Sequence, residues 1–129
     1  LSAEAKKYIA PLPIDYEPDE EAAGMFGLMM MTSGKHTDPE NVAKAQALKD
    51  ATMGWFIAQN LKSKFVHLNG NYHSDFKKGI ITYLNKYRPG LKIATVCSVR
   101  QDDIKKLGEE NEGRADFYIC VPTDMTMTY

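Results

Sequence analysis

A strand–turn–helix–strand pattern in the second half of the chain constrains the fold more than any other feature. Residues 65–68 form a short apolar run that predicts a strand, and Gly70 and Asn71 break this run. Apolar residues at helical spacing from 76 to 87 predict a helix, and residues 92–99, rich in β-branched side chains, predict a second strand. Two strands joined by a helix form a βαβ unit, so we expect parallel strands and a right-handed crossover.

The flanking segments extend this pattern into an α/β fold with a small, mainly parallel sheet. Asp38, Pro39 and Glu40 predict the start of a long helix that ends near Leu61, and residues 117–121 predict a third buried strand. Three strands are fewer than the roughly 5–6 of a typical sheet, so we expect the chain to be part of a larger domain. We divide it into a helical cap segment, residues 1–38, and an α/β core portion, residues 39–129.

The long helix offers two candidate core stripes. One passes through positions 42, 45, 48, 52, 55 and 59, and the other joins Gln46, Asp50, Met53, Gly54 and Ile57. The second stripe places a carboxylate in line with partly buried positions. Asp50 is therefore a candidate for an inward-facing acid.

The cap segment contains an apolar stretch that needs a cover. Ser2 can cap a short helix over residues 3–9, and Asp19 can cap a second helix that runs to residue 31. Residues 22–31 carry no charge, so this helix has no polar face, and at ten residues the stretch is shorter than the ~18 of a membrane span. Met29 and its neighbouring methionines fit core or dimer packing, or a soft wall for a flat hydrophobic ligand.

Charge and cysteine usage exclude several classes of function. The net charge of −1 gives no reason to expect nucleic acid as a partner, although it combines −5 over residues 1–40, +8 over 41–106 and −4 over 107–129. The basic middle section could attract a carboxylate or phosphate, or its lysines could be solvated helix faces. Cys97 and Cys120 fit no zinc spacing, and we expect buried free thiols on neighbouring strands rather than a disulfide.

Candidate site residues follow the predicted strands, because ligands of parallel sheets bind at the carboxyl ends of the strands. The first strand leads into residues 69–73, the second delivers Ser98 and Arg100, and the third delivers Thr123 and Asp124. His73 can bind a metal or an anionic group, or can merely cap the following helix beside Ser74.

The remaining histidines and tyrosines extend this set of candidates. We interpret His67 as a core residue of the first strand, and His36 as a surface residue or a ligand contact. Tyr16 and Tyr72 lie in irregular segments, and a tyrosine phenolate can bind ferric haem iron, as can imidazole. Motifs of zinc peptidases, serine esterases, P-loop NTPases and Rossmann dehydrogenases are missing from the sequence.

A family resemblance rests on three segments with a particular order and spacing. They are Gln46-Ala47 with Asp50 and Met53, His67-Leu68-Asn69-Gly70-Asn71-Tyr72-His73 with Gly79-Ile80, and Arg114-Ala115-Asp116-Phe117 leading to Val121-Pro122. Together, over residues 40–122, they resemble the C-terminal half of the ChaN-like haem-binding uptake lipoproteins of the Tiki superfamily. The resemblance implies a three-layer α/β fold with a helical subdomain, and matches Gln46, Asp50, Met53, Asn69, Gly70, Asn71 and His73 to family positions. We expect the N-terminal methionine-rich helix, which lies outside the matched segments, to form that subdomain.

The function implied by this resemblance is haem binding in iron uptake at the bacterial cell envelope. The chain starts at Leu1 with no lipoprotein signal, so membrane attachment is expected only through a lipid anchor that this chain lacks. We expect a homodimer, without enzymatic activity, whose haem contacts are His73, Tyr72, Tyr16, His36, Met29, Asn71, Asp50 and Arg100. His73 and Tyr72 are the candidate iron ligands.

Two alternatives remain open at this point. One is a metal-dependent hydrolase in which His73 and Asp50 help to hold a metal or to activate water, with a site completed by a missing N-terminal half. The other is a structural fragment that dimerises through its apolar helix. Tyr72 fills a position that is often small in the family, which sets this chain apart from the family pattern.

Overall fold

The computed structural model of the protein describes residues 1–17, 24, 28 and 38–126, which form a small α/β fold. The chain divides into two compact units, Leu1–Leu61 and Lys62–Tyr129. No helix in the described ranges is both long and apolar enough to cross a bilayer. The three-layer arrangement and the boundary at residue 38 stay predictions, because residues 29–37 lie outside the described part of the chain.

The first unit contains helix α1, Pro39–Asn60, which confirms the predicted long helix. Its start is fixed by Asp38, whose Oδ1 accepts a hydrogen bond from the Glu40 N–H at 3.0 Å, and by proline at the first helical position. The helix ends where the Leu61 N–H donates to the Ile57 carbonyl at 2.9 Å. These capping contacts satisfy backbone groups that would otherwise lack partners at the helix ends.

The buried face of α1 corresponds to the second of the two candidate stripes. Asp50, Gly54 and Ile57 are buried, together with Ala43, Ala51 and Ala58, whereas the first stripe is half-buried or exposed throughout. Four of the six buried residues are alanine or glycine, which lets neighbouring backbone approach the helix closely. The prediction that Asp50 points inward is confirmed by its 5% exposure.

The first ten residues are fixed to α1 by a hydrogen bond. Ala10 is buried and its N–H donates to Thr52 Oγ1 at 3.1 Å, while the same hydroxyl donates to the Leu48 carbonyl at 2.7 Å. Upstream, Ser2 Oγ accepts from the Ala5 N–H at 3.1 Å, as predicted, but the segment forms a single 3₁₀ turn, Ala5–Tyr8, rather than a helix over residues 3–9.

Most of the predicted methionine-rich helix lies outside the described residues. Only Gly24 and Leu28 are described there; both have helical backbone, and Leu28 is 67% exposed. Met25, Met29 and the two methionines that follow, together with His36, are not among the described residues. Their predicted roles therefore stay predictions.

The second unit contains helix α2, Ile80–Tyr87, whose apolar face confirms most of the predicted stripe. Ile80, Tyr83 and Leu84 are buried, and the rings of Tyr83 and Tyr87 stack at 6.4 Å. Phe76 does not belong to this helix, which corrects the prediction, because Phe76 lies in a preceding 3₁₀ turn and is 54% exposed.

Strands β1, Val96–Arg100, and β2, Phe117–Val121, form a parallel pair in which Val96 lies opposite Phe117 and Arg100 opposite Val121. The strand predicted at residues 117–121 is confirmed, but its predicted burial is wrong, because none of its five residues is buried. One face of the pair buries Cys97 and Val99, and the other exposes Val96, Phe117 and Ile119. Both cysteines are free thiols on neighbouring strands, as predicted, but only Cys97 is buried and Cys120 is half-buried.

The predicted strand at residues 65–68 is wrong. These residues have no regular structure, and Phe65, Val66, His67 and Leu68 are all exposed, so His67 is not a core residue either.

The second edge of β1 is met by a side chain instead of a strand. The Thr95 carbonyl accepts a hydrogen bond from the Phe117 N–H, so the backbone N–H and C=O groups of odd-numbered residues point toward β2. The Ser98 carbonyl therefore points to the opposite edge of β1. There it accepts from Asn71 Nδ2 at 2.7 Å, so a side-chain amide uses an acceptor that a third strand would require.

A partly exposed polar link joins the starts of the two strands, with Thr95 buried and Asp116 at the surface. Asp116 Oδ2 accepts from the Thr95 N–H at 2.8 Å and from Thr95 Oγ1 at 3.0 Å, and Lys77 Nζ lies 2.6 Å from Asp116 Oδ1. The hydrogen bond from Lys77, followed by the bonds from Thr95, lowers the pKa of Asp116 from 3.8 to about 2. Asp116 is therefore ionised in the folded protein at neutral pH, and the bonds from Lys77 and Thr95 stabilise this charged form.

We expect Asp38→Ala to lower the free energy of unfolding by about 1 kcal/mol, because the substitution removes the acceptor for the Glu40 N–H. Urea unfolding followed by far-ultraviolet circular dichroism measures the change. Asp38→Asn keeps an acceptor oxygen and serves as the matched control. Equal destabilisation by both substitutions would show that the cap is not the cause.

We expect the stabilising effect of Asp116 to depend on pH. Because its folded pKa of about 2 lies below the ordinary 3.8, the effect is complete above about pH 4 and is lost as the pH falls toward 2. The difference in unfolding free energy between the wild type and Asp116→Asn should shrink over that range. Asp124→Asn, at an exposed aspartate, is the control for the general effect of losing one carboxylate. A stability difference between the wild type and Asp116→Asn that does not change with pH would contradict the lowered pKa of Asp116.

Candidate functional site

The candidate site is built on two consecutive 3₁₀ turns, Asn71–His73 and Asp75–Lys77, which precede α2. The first turn closes through the His73 N–H, which donates to the Gly70 carbonyl at 3.0 Å. Asn69 Nδ2 supports the turn from outside by donating to the Gly70 carbonyl at 2.9 Å and to Ser74 Oγ at 3.0 Å. We call residues 69–77 the site turn.

Tyr72 and His73 present their rings side by side on the site turn. Their ring centroids are 5.5 Å apart and the ring planes meet at 76°, an edge-to-face contact. Tyr72 is 39% exposed and His73 is half-buried, so both rings can meet a ligand from solvent. His73 does not cap α2, whose capping position is Gly79, so that alternative for His73 is wrong.

Asn71 ties the site turn to the edge of β1, through its hydrogen bond to the Ser98 carbonyl. The sequence predicts that Asn71, Tyr72 and His73 lie at the carboxyl edge of the sheet. Ser98 is the middle residue of β1, so Asn71 contacts the lateral edge of that strand at its centre. The strand predicted to end just before the site turn does not form, so the placement of Asn71, Tyr72 and His73 at the carboxyl ends of the strands stays a prediction.

A partly buried ion pair holds the second 3₁₀ turn. Arg114 donates to Asp75 Oδ2 through Nε at 3.0 Å and through Nη2 at 2.6 Å, and the Phe76 N–H donates to the Arg114 carbonyl at 2.8 Å. The hydrogen bond to Asp75 raises the pKa of the Arg114 guanidinium. The Cys97 thiol donates to Asp75 Oδ1 at 3.5 Å, and burial together with the nearby Asp75 charge raises the pKa of that thiol.

The backbone of the second turn is strained. Phe76 has φ 55° and Lys77 has φ 57°, two successive side-chain-bearing residues in the left-handed region. This conformation costs roughly 1–2 kcal/mol per residue relative to the right-handed form. It persists here because contacts to Arg114 and Asp116 hold the turn on both sides.

An exposed apolar segment leads into the site turn. Phe65, Val66 and Leu68 are exposed, Leu68 by 89%. Partial burial lowers the pKa of His67, and the nearby His73 adds to this decrease, so the two imidazoles lie within electrostatic reach of each other. The segment and the turn together offer apolar contact area next to two imidazoles and a phenol.

The other predicted site residues lie elsewhere. Tyr16 is half-buried in the N-terminal segment and Asp50 is buried in α1, both in the first unit. Arg100, at the end of β1, donates through Nη2 to the carbonyls of Thr123 and Met125, so it holds the segment after β2. Within the described ranges, no group of three or more histidine, cysteine, aspartate or glutamate residues could hold a metal ion.

Sequence reasoning missed the Asp75–Arg114 pair as part of the site. The two residues are 39 positions apart, and neither lies in a motif with a known chemical role. Arg114 belongs to one of the segments that carry the family resemblance, which is the sole sequence signal that singles it out.

Comparison with known proteins gives one match. The family described as haem-binding uptake, Tiki superfamily, ChaN, matches residues 1–84 of this 129-residue chain. The match includes the cap segment, which the resemblance over residues 40–122 leaves out, and ends before β1. No curated protein and no solved structure matches the chain significantly. The matched range covers the N-terminal unit, the exposed apolar segment and the whole site turn. Because the match spans more than half of the chain, the chain belongs to the ChaN haem-binding uptake family of the Tiki superfamily.

Proposed function

We propose that the chain binds haem at the site turn, with Tyr72 or His73 as the iron ligand. The observation that carries the proposal is the edge-to-face pair of Tyr72 and His73, partly exposed beside an apolar segment in a member of a haem-binding uptake family. Phenolate and imidazole are both ligands of haem iron, so the donor atoms suit the ligand that the family name implies.

The ring geometry favours one iron ligand from this pair for each haem. Rings in edge-to-face contact at 5.5 Å leave no slot between them for a flat ligand. One of the two residues would therefore hold the iron, and the other would contact the porphyrin or orient its neighbour.

Apolar contact and charge around the turn suit the rest of the porphyrin. Phe65, Leu68 and Phe76 are exposed, and burying such side chains against a flat ligand removes apolar surface from water. Residues 62–78 contain four lysines and one aspartate, a positive balance that complements the two propionates of haem.

The other predicted haem contacts stay predictions. Asn71 positions the turn and Arg100 orders the chain beside the end of β1, each through bonds to backbone carbonyls. Tyr16 and Asp50 belong to the first unit, where Asp50 is buried, and His36 and Met29 lie outside the described residues. The lipid anchor and the role in iron acquisition at the bacterial cell envelope rest on the family relationship, and the homodimer rests on the apolar stretch at residues 22–31, which needs a cover. No specific observation favours the hydrolase alternative, and it stays a prediction.

Titration with hemin tests the proposal. We expect saturable binding with a Soret shift, and at least about a tenfold weaker Kd for the variant that lacks the iron ligand, Tyr72→Phe or His73→Ala. The variant that changes the Soret maximum identifies the ligand, and the other should weaken binding while keeping the spectrum. Tyr8→Phe, at an exposed tyrosine of the N-terminal segment, is the matched control.

Metal-free protoporphyrin IX separates ligation from apolar contact. Its affinity should fall for Leu68→Ser, which removes exposed apolar area, and should stay unchanged for the variant that lacks the iron ligand. Hemin binding that does not saturate, or that is equal in Tyr72→Phe, His73→Ala and the control, would rule out the site turn as the haem site. Tyr16→Phe and His36→Ala then test the remaining candidates.

A further inference from the structure

We propose that Arg114 is a positioning residue for the haem site, so that the site depends on the segment between β1 and β2. This inference rests on the proposed function. It goes beyond the family relationship, because Arg114 lies 30 residues past the end of the matched range, 1–84. No local sequence pattern explains how the Tyr72–His73 pair is held.

The first step is the contact that Arg114 makes with the site turn. Its Nε and Nη2 both donate to Asp75 Oδ2, and Asp75 lies two residues after His73. The side chains of Arg114 and Asp75 are 24% and 16% exposed, so water competes little for these bonds. The Arg114 carbonyl also accepts a hydrogen bond from the Phe76 N–H, so Arg114 contacts the turn through both its side chain and its backbone.

The second step is what holds Arg114 itself. Its Nη1 donates to Asn111 Oδ1 at 2.7 Å, and Asn111 is buried. Asn111 Nδ2 in turn contacts the Oε1 of Gln101 at 3.4 Å, and Gln101 is buried directly after β1. The Gln101 oxygen also accepts from the Gly108 N–H at 3.1 Å, so a network of side-chain amides connects the end of β1 to the guanidinium.

The hydrogen bonds to Asp75 and Asn111 together require an arginine at position 114. Nε, Nη1 and Nη2 donate in a fixed planar fork, two of them to Asp75 and one to Asn111. Lysine keeps the positive charge but supplies a single ammonium group, which cannot reproduce these directions. Arg114→Lys therefore separates positioning from charge.

The consequence for haem follows from the strained backbone of Phe76 and Lys77. Without the Arg114 side chain, the weak donor Cys97 is the one side chain left on the Asp75 carboxylate among the described residues. The backbone bond from Phe76 and the Lys77–Asp116 pair remain, but with fewer contacts the turn can relax toward ordinary φ values. The rings of Tyr72 and His73 would then leave the geometry that suits iron. Loss of outer contacts that orient a metal ligand typically weakens metal binding 10–100-fold.

The test compares Arg114→Lys with Arg88→Lys, an exposed arginine that follows α2 in the same unit. We expect Arg114→Lys to weaken hemin affinity at least tenfold and to change the Soret maximum and the electron paramagnetic resonance spectrum of the ferric complex. A second readout needs no hemin: the His73 imidazole resonances should shift, and amide exchange at residues 72–77 should speed up. Arg88→Lys should leave all of these unchanged.

The outcomes are distinguishable. If Arg114→Lys lowers the unfolding temperature but leaves the hemin affinity, the spectra and the His73 resonances unchanged, the inference is overturned. The proposed function is then unaffected. A wild type that fails to bind hemin removes the proposed function, and the hemin-free readouts still decide whether Arg114 orders the turn. Where Arg114→Lys does not fold, Asp75→Asn, which keeps the shape of the partner but removes its charge, is judged by the same criteria.

Discussion

The charge-assisted pair of Arg114 and Asp75 is the contact on which the arrangement of the second unit depends. It joins the turn before α2 to the segment before β2, and Cys97 on β1 contacts the same carboxylate. Hydrogen bonds to charged groups contribute roughly 1.5–3 kcal/mol each, comparable with the strain of two left-handed residues in the adjacent backbone. A conformation that local preferences oppose is therefore held by partners distant in the sequence.

The sheet makes this dependence stronger. Two paired strands with one buried face are only marginally stable on their own. Here the strands are linked at their starts by Thr95 and Asp116, and the free edge of β1 is met by the side chain of Asn71. Parallel sheets are normally covered on both faces, whereas Val96, Phe117 and Ile119 on one face of this pair are exposed.

The sequence predicts those elements whose signals are local. Helix α1 carries its capping aspartate and proline, and β2 is a continuous apolar run between polar neighbours, so both are predicted within a residue or two. The run at residues 65–68 has the same local appearance as β2 but forms no strand, because whether a short apolar run pairs depends on what lies beside it. The interpretation of His67 as a core residue failed for the same reason. The positive φ of Phe76 has no sequence signal, since phenylalanine is not a residue that favours it.

The candidate site shows the same division between local and distant information. A Gly-Asn step after an apolar run predicts a turn at Asn71, and a 3₁₀ turn begins there, because turn chemistry is local. Nothing local predicts the partner of Asp75, since a side chain that orients a site through another residue can come from any position that the fold brings near. A ligand site needs both kinds of residue: the donors decide what can bind, and the distant contacts fix the geometry before the ligand arrives, which lowers the entropy lost on binding. In this chain the proposed donors, Tyr72 and His73, lie inside the range that matches the family, whereas Arg114 lies outside it, so family membership alone does not establish that a chain presents its tyrosine and histidine in a binding geometry.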